Sequence, residues 1–355
     1  MMRLFAVVVA AALSIPTTAS AQPDRGTQVR VHLITGSGTL PRNPKNRLEY
    51  LRYATTGEAR LTGKELIERI PEVQQFARVS VESDEFLPYD SPQQLKDLAL
   101  KIDARLKDPD IAGVVFTHGT NTIEETAYFL NLTVKQDKPV VIVGAQRPFS
   151  TLSSDAPLNL LNAIRVAADP SARGKGVLVV LNDEINAARE VTKTNTYRVE
   201  TFQARELGIL GYADPDRIVF YRAPTRRHTT QSQFDLAQIS EFPKVSILYG
   251  HAGDDGDLAK AAVAAGAKGL VIAGTGAGHT QNARKALKEL YDTTGVVVVR
   301  SARVGAGRVI RDDNWQEPGF VAADNLNPQK ARILLQLALT RTMKPDEIQR
   351  LFDEY

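Results

Sequence analysis

Residues 111–130, IAGVVFTHGTNTIEETAYFL, leave this chain little choice of fold. An unbroken apolar run, Ile111 to Phe116, predicts a buried strand, and a helical pattern begins at Ile123. Between them lies the short polar turn THGTNT, with Gly119 to let the backbone turn. A buried strand passing straight into a helix belongs in a parallel sheet with helices on both faces. Such sheets bind ligands at the carboxyl ends of their strands, where helix N-terminal amides point outward. Thr117, His118, Thr120, Asn121 and Thr122 are crowded at that place. Two readings of them stay open. Asn121 with Glu124, or Thr122 with Glu125, has capping-box spacing; alternatively the hydroxyls carry chemistry.

The same alternation runs along most of the chain. A strand at Val29 to Ile34 enters a second polar turn, T35-G36-S37-G38-T39. Leu40 to Arg60 is basic, lacks a clear period and carries Tyr50 and Tyr53, which marks a functional lid or a disordered segment. Leu61 to Ile70 predicts a short helix, Val79 to Val81 a brief strand, and Ser91-Pro92 an N-cap with proline at the first position of a helix to Leu106. Strands at Val140 to Gly144 and Gly176 to Leu181 flank a helix over Ala156 to Ala168. The stretch 182–196 is polar and ends in VTKTNT. Residues 221–243 shift in composition and form a linker candidate. Beyond it the alternation resumes, with strands at Val245 to Tyr249, Gly269 to Ala273 and Val296 to Arg300, and helices near 257–265, 280–292, 328–340 and 344–352. GTGAGH, 274–279, lacks the spacing of a dinucleotide loop and predicts a glycine-rich turn. The expected fold is α/β: a larger N-terminal parallel-sheet domain over 22–220, the linker, and a smaller C-terminal α/β domain over 244–355.

The first 21 residues differ from the rest. Arg3 precedes a short apolar run, Leu4 to Leu13, and Ala19-Ser20-Ala21 has the small-x-small form of a cleavage site. This predicts a secretory signal peptide cut after Ala21, and hence a periplasmic or secreted protein. The apolar run is too short to span a bilayer. With 44 basic and 41 acidic residues the net charge is +3, too balanced to argue for nucleic acid or an anionic membrane. No cysteine is present, so disulfides, thiol nucleophiles and zinc–thiolate sites are excluded. The five histidines show neither HExxH nor close pairing, which argues against a metal.

The polar residues at the predicted strand ends are threonine, serine, lysine, tyrosine and carboxylate. A hydroxyl nucleophile needs a base beside it, and here that base is lysine, tyrosine or carboxylate. Lys193, between Thr192 and Thr194, is the one lysine in a hydroxyl-rich loop. A lysine can act as a base when burial lowers its pKa. These residues also carry a resemblance. GVVFTHGTNTIEETAYFL, KPVVIVGAQRP (138–148), SDAPLNLLNA (154–163), VTKTNT (191–196) and FVAADNLNPQKARILLQLALT (320–340) resemble the bacterial type II L-asparaginases, the periplasmic asparaginase/glutaminase family. The likeness extends over nearly all of 29–355. It implies a homotetramer whose sites are closed by a neighbour's C-terminal domain, and no cofactor. It also implies hydrolysis of the asparagine side-chain amide through a threonine acyl-enzyme, with glutaminase activity as a side reaction. By the same resemblance Thr120, Asn121 and Lys193 form a proton-handling group, Ser83 lies near the substrate carboxylate, and the Ala145 carbonyl contacts the amide.

The chain departs from the family at three places. The N-terminal signature is ordinarily TGGT; here it is one residue longer, which makes Thr39 the expected nucleophile and Ser37 the alternative. The signature aspartate is Asn121, and the glutamine after the binding serine is Asp84. Both of those family residues approach the substrate ammonium, so the negative charge is expected to have moved from 121 to 84. The tyrosine that assists the nucleophile is expected to be Tyr53, with Tyr50 as the alternative. Gln136 stands where the family has one of its disulfide cysteines. Two further expectations compete with asparagine hydrolysis: a catalytically weak homologue that binds amino acids, and an amidase for another amide.

Overall fold

The computed structural model describes residues 28–55, 59–311 and 319–355, so the expected signal peptide lies outside the described residues. The first half of the chain contributes β1 (Arg30–Thr35), α1 (Gly63–Glu68), β2 (Arg78–Val81), α2 (Pro92–Leu106), β3 (Ile111–Thr117), α3 (Ile123–Thr133), β4 (Val140–Val143), α4 (Ala156–Ala168) and β5 (Val177–Leu181). It ends in five short strands, β6 (Glu184–Ala187), β7 (Thr192–Lys193), β8 (Phe202–Gln203), β9 (Gly211–Ala213) and β10 (Ile218–Phe220). Eight strands form one sheet in the order β10-β9-β6-β5-β4-β3-β1-β2, while β7 and β8 pair alone.

β2, β1, β3, β4 and β5 run parallel, as the alternation predicts. Side chains on a strand alternate between faces, and each face here buries a core. Ile34, Val114, Phe116 and Ile142 pack on one face with α2 and α3. Leu33, Val115, Val141 and Val143 pack on the other with α1 and α4. The far margin of the sheet differs from the sequence expectation, because β5, β6, β9 and β10 are antiparallel. Asn182 and Asp183 both take positive φ, 54° and 64°, and fold β5 directly back into β6. Two residues with positive φ match the right-handed twist of a hairpin, and asparagine and aspartate tolerate them best among non-glycines. The polar stretch after Leu181 is therefore a two-residue hairpin turn followed by strand.

The second half contributes β11 (Val245–Tyr249), α5 (Asp257–Ala264), β12 (Gly269–Gly274), α6 (Arg284–Thr294), β13 (Val297–Ala302), β14 (Phe320–Ala322), α7 (Pro328–Ala338) and α8 (Pro345–Glu354). Its four strands form a parallel sheet in chain order. β14, three residues long, is absent from the sequence expectation; it pairs with β13 at Val298↔Phe320. Residues 221–243 are well packed for a connection, with Phe234, Leu236 and Ile239 buried. The core under α2 and α3 continues through α7 into the second sheet, where it includes Val271, Val297 and Leu334. The two domains therefore share apolar packing through α3 and α7.

The edge of the large sheet is pinned by a part-buried ionic cluster. Burial holds the His32 imidazole below its ordinary pKa, so the ring accepts from the Ser80 hydroxyl at Nδ1 (2.9 Å) and donates from Nε2 to Glu82 (2.7 Å). Arg105 and Lys101, both on α2, donate to the same carboxylate at 2.7, 2.9 and 3.0 Å. The Arg105 hydrogen bond, helped by those of His32 and Lys101, outweighs burial and holds the Glu82 carboxyl far below its usual 4.5. A carboxylate depressed in the folded state stabilises the fold above its unfolded pKa, and that contribution fades as pH falls. Glu82→Gln is expected to cost about 1–3 kcal/mol at pH 7. The gap from wild type should narrow on acidification below about pH 4. Urea unfolding at the two pH values measures both effects.

Candidate active site

β1 and β3 are neighbours and end side by side, which brings the TGSGT and THGTNT turns together. Gly36 N–H donates to Thr117 O at 2.9 Å and lies 3.0 Å from Thr117 Oγ1. Further out the two turns touch through glycines. A Cβ on Gly38 would lie 2.6 Å from the Gly119 Cα, and Gly38 has φ +147°, so glycine alone fits there. Thr39 and Thr120 each follow directly from this contact. Both are buried, at 8% and 7% exposure.

Each threonine has one partner of note. Thr39 Oγ1 lies 2.8 Å from Tyr53 Oη. Lys193, brought by the short strand β7, donates from Nζ to Thr120 Oγ1 at 2.8 Å. Burial lowers the Lys193 ammonium below its ordinary pKa, which brings the neutral amine closer to working pH. The alternatives from the sequence are engaged elsewhere. Ser37 Oγ lies 3.2 Å from the Tyr89 hydroxyl, and Tyr50 Oη donates to Leu152 O at 2.9 Å. The segment carrying both tyrosines is tied to residues 149–152: Phe149 N–H donates to Arg42 O (2.8 Å), Ser150 Oγ to Pro44 O (2.7 Å) and Leu152 N–H to Arg47 O (3.0 Å).

The remaining predicted residues rim the same strand ends. The turn bearing Ser83 and Asp84 leaves β2 beside Thr35, whose Oγ1 donates to Glu85 O at 3.2 Å. Ser83, Asp84 and Asn121 are all exposed. Ala145 is fully buried after Gly144, whose added Cβ would lie 3.2 Å from the Thr120 methyl. No group of ionisable side chains among the described residues could hold a metal ion.

Two expectations for the THGTNT turn change. Thr122 is the N-cap of α3, yet its side chain makes no capping bond. Glu124 and Glu125 are drawn away by α7, to Asn327 and Gln329 (3.0 and 3.2 Å) and to Arg332 (3.2 Å). The capping-box spacing is present and unused. His118 is fully buried, held at a pKa of about 4 by burial, and bonded to Gly119 O and Thr126 Oγ1 at 2.6 and 2.7 Å. It is a neutral post under the turn.

The residue that sequence reasoning missed is Tyr89. Its ring stacks on His118 with centroids 3.7 Å apart. Its hydroxyl donates to Ser37 O at 2.6 Å and accepts from Gly119 N–H at 3.0 Å, tying one turn to the other. Nothing in its local sequence marks it, since it sits just ahead of the Ser91 cap and its partners are 52 and 30 positions away.

Fold and site together define a two-domain α/β enzyme with paired threonines, one of them bonded to a lysine of lowered pKa. Comparison with known proteins agrees. The profile of the family described as "Asparaginase, N-terminal" matches residues 30–226, and that of "Glutaminase/Asparaginase C-terminal domain" matches 244–352. The L-asparaginase 2 of Bacillus subtilis (strain 168) is 45% identical over 329 residues, covering 92% of this chain and 86% of that protein. The glutaminase-asparaginase of Pseudomonas fluorescens biotype A is 41% identical over 309 residues, covering 85% and 84%. A crystal structure of a probable cytoplasmic L-asparaginase from Campylobacter jejuni superimposes with TM-score 0.84 at 40% identity, covering 92% of this chain and all of that one. The chain belongs to the asparaginase family, and is thereby an amidohydrolase.

Tyr89→Phe should leave a backbone carbonyl and an amide without their partner. The expected loss is about 1–3 kcal/mol of stability by thermal or urea unfolding, with the ring stack retained.

Proposed function

We propose that this chain hydrolyses the side-chain amide of L-asparagine to aspartate and ammonia, with L-glutamine as a side substrate and no cofactor. The observation that carries the reading is the pairing of Thr39 with Tyr53 and of Thr120 with Lys193 at adjoining strand ends. Thr39 Oγ1 attacks the amide carbon; as Tyr53 Oη takes up the threonine proton it hands its own on to the amide nitrogen. The C–N bond then breaks, NH3 leaves, and an aspartyl ester of Thr39 remains. Water attacks the ester as neutral Lys193, through Thr120, takes one of its protons; the ester C–O bond breaks, Tyr53 relays a proton back to Thr39 Oγ1, and aspartate departs. Four groups bind the substrate. Ser83 takes the carboxylate, Asp84 and Asn121 face the ammonium, and the Ala145 carbonyl contacts the amide.

Association and location belong to the same reading. The chain works as a homotetramer with sites closed by a neighbour's C-terminal domain. Exposed Ile247 and Tyr249 on the edge strand β11 supply apolar surface for such packing. The segment 1–21, cut after Ala21, directs export to the periplasm or beyond. No helix among the described residues is long and apolar enough to cross a membrane.

Ammonia release from asparagine by the purified protein is the direct test, with Thr120→Val as a control. Thr39→Ala should lower kcat by about three orders of magnitude or more, whereas Ser37→Ala should stay within about threefold. Asparagine bound without turnover would overturn the proposal in favour of an amino-acid binder, and turnover of another amide alone would overturn the substrate. A second prediction addresses the displaced charge. Asp84→Asn should raise KM for asparagine about tenfold or more, because a charge-assisted bond to the ammonium is lost. Asn121→Asp alone should change it little; an unaltered KM in Asp84→Asn would refute the exchange.

A further inference from the structure

Lys330 stands in the first turn of α7 and is 2% exposed, which puts an ammonium wholly inside the protein. Burying a charge is costly unless it is compensated, and burial lowers this one to a pKa of about 8. Its Nζ donates to the backbone carbonyls of Arg189, at 2.9 Å, and Val191. Those carbonyls belong to the turn that delivers β7, with Lys193 two residues beyond Val191.

Its neighbours on α7 reach the same place. Asn327, the N-cap of α7, donates to Thr192 Oγ1 at 3.4 Å and to Glu124 Oε2 at 3.0 Å. Gln329 donates to the other Glu124 oxygen at 3.2 Å. Glu124 is 6% exposed and lies in the first turn of α3, four residues after Thr120. One turn of α7 thus grips the backbone that carries Lys193 and the helix that begins behind Thr120. The grip crosses between domains, because α7 packs on the second sheet while β7 and α3 belong to the first half of the chain.

We propose that Lys330 is a positioning residue for the Thr120–Lys193 pair, holding the Lys193 segment in register through the carbonyls of Arg189 and Val191 with Asn327 and Gln329 in support. A leucine or methionine at 330 would fill the space at less electrostatic cost, but would leave both carbonyls without a donor. Lysine supplies three donors at the end of a long stem, enough to bridge two carbonyls two residues apart. Misplacement of a catalytic group by about 1 Å is enough to cost a hundredfold in rate, so the contact has leverage without touching substrate. The proposal rests on the assignment of Lys193 to proton handling at Thr120.

A double-mutant cycle on the full chain separates this role from simple support of the fold. Steady-state ammonia release from asparagine is measured for wild type, Lys330→Met, Lys193→Ala and the double variant, well below their melting temperatures. Lys330→Met should lower kcat about tenfold with KM within about twofold, and should cost less than about twofold in the Lys193→Ala background. Gln329→Leu removes one hydrogen bond and leaves the buried ammonium in place. It should lower kcat about two- to threefold by the same dependence on Lys193, and it carries the test if Lys330→Met does not fold. An equal loss in both backgrounds, or full turnover by a folded Lys330→Met, would overturn the positioning role. Unchanged turnover in Lys193→Ala alone would instead overturn the catalytic assignment of Lys193.

Discussion

The contact between Gly38 and Gly119 is the constraint on which the site depends. Two polar turns leave adjacent parallel strands; the missing side chain at Gly38 lets the backbones meet, and the one missing at Gly119 leaves room for the Tyr89 hydroxyl. Thr39 and Thr120 are the next residues on either side, so the spacing of their hydroxyls follows from the closeness of the glycines. Tyr89 locks the contact with one hydroxyl that donates to the first turn and accepts from the second. His118 lies beneath as a neutral ring, since full burial removes its charge. The contact is therefore held from beneath by a stacked pair of rings and from the side by two hydrogen bonds of one hydroxyl.

The rest of the molecule serves to bring the second half of each pair to that point. Tyr53 arrives on a segment with no regular structure of its own, held down by the loop at 149–152. Lys193 arrives on a two-residue strand outside the main sheet. Neither support is intrinsically stiff. Stiffness comes from tertiary bonds, and for Lys193 those come from α7 in the other domain. The core that runs from α3 through α7 is the apolar counterpart of that polar grip. The buried charge at Lys330 and the ionic cluster at Glu82 both flank site-bearing turns, where directional bonds specify position more sharply than apolar packing does.

Much of this was legible in the chain. The continuous apolar runs of β3, β4 and β5 required burial on both faces, and the structure divides their alternate residues between two cores. The helix start that rests on a cap was readable to the residue at Ser91. The antiparallel margin was obscured because β6, β9 and β10 are only three or four residues long, too short for a period to show. Asn182-Asp183 was the local signal for the hairpin. The capping-box spacing of the THGTNT turn misled for a different reason: a carboxylate near a helix start serves equally well as a partner for a distant amide, and tertiary contact decides which bond forms.

By itself the sequence determined the class of fold, the two polar turns at strand ends and the set of side chains able to handle protons, because these follow from local pattern and residue chemistry. It also carried the resemblance that links those turns to amide hydrolysis. Only the tertiary structure decided which hydroxyls come together. Thr39 meets Tyr53 while Ser37 meets Tyr89, and Tyr50 turns away to the Leu152 carbonyl. Lys193 reaches Thr120 across 73 positions, and Tyr89, Glu124 and Lys330 gain their roles wholly through contacts distant in the chain. A hydrogen bond is decided within a few tenths of an ångström, and that precision comes from packing whole elements together, which no local pattern encodes.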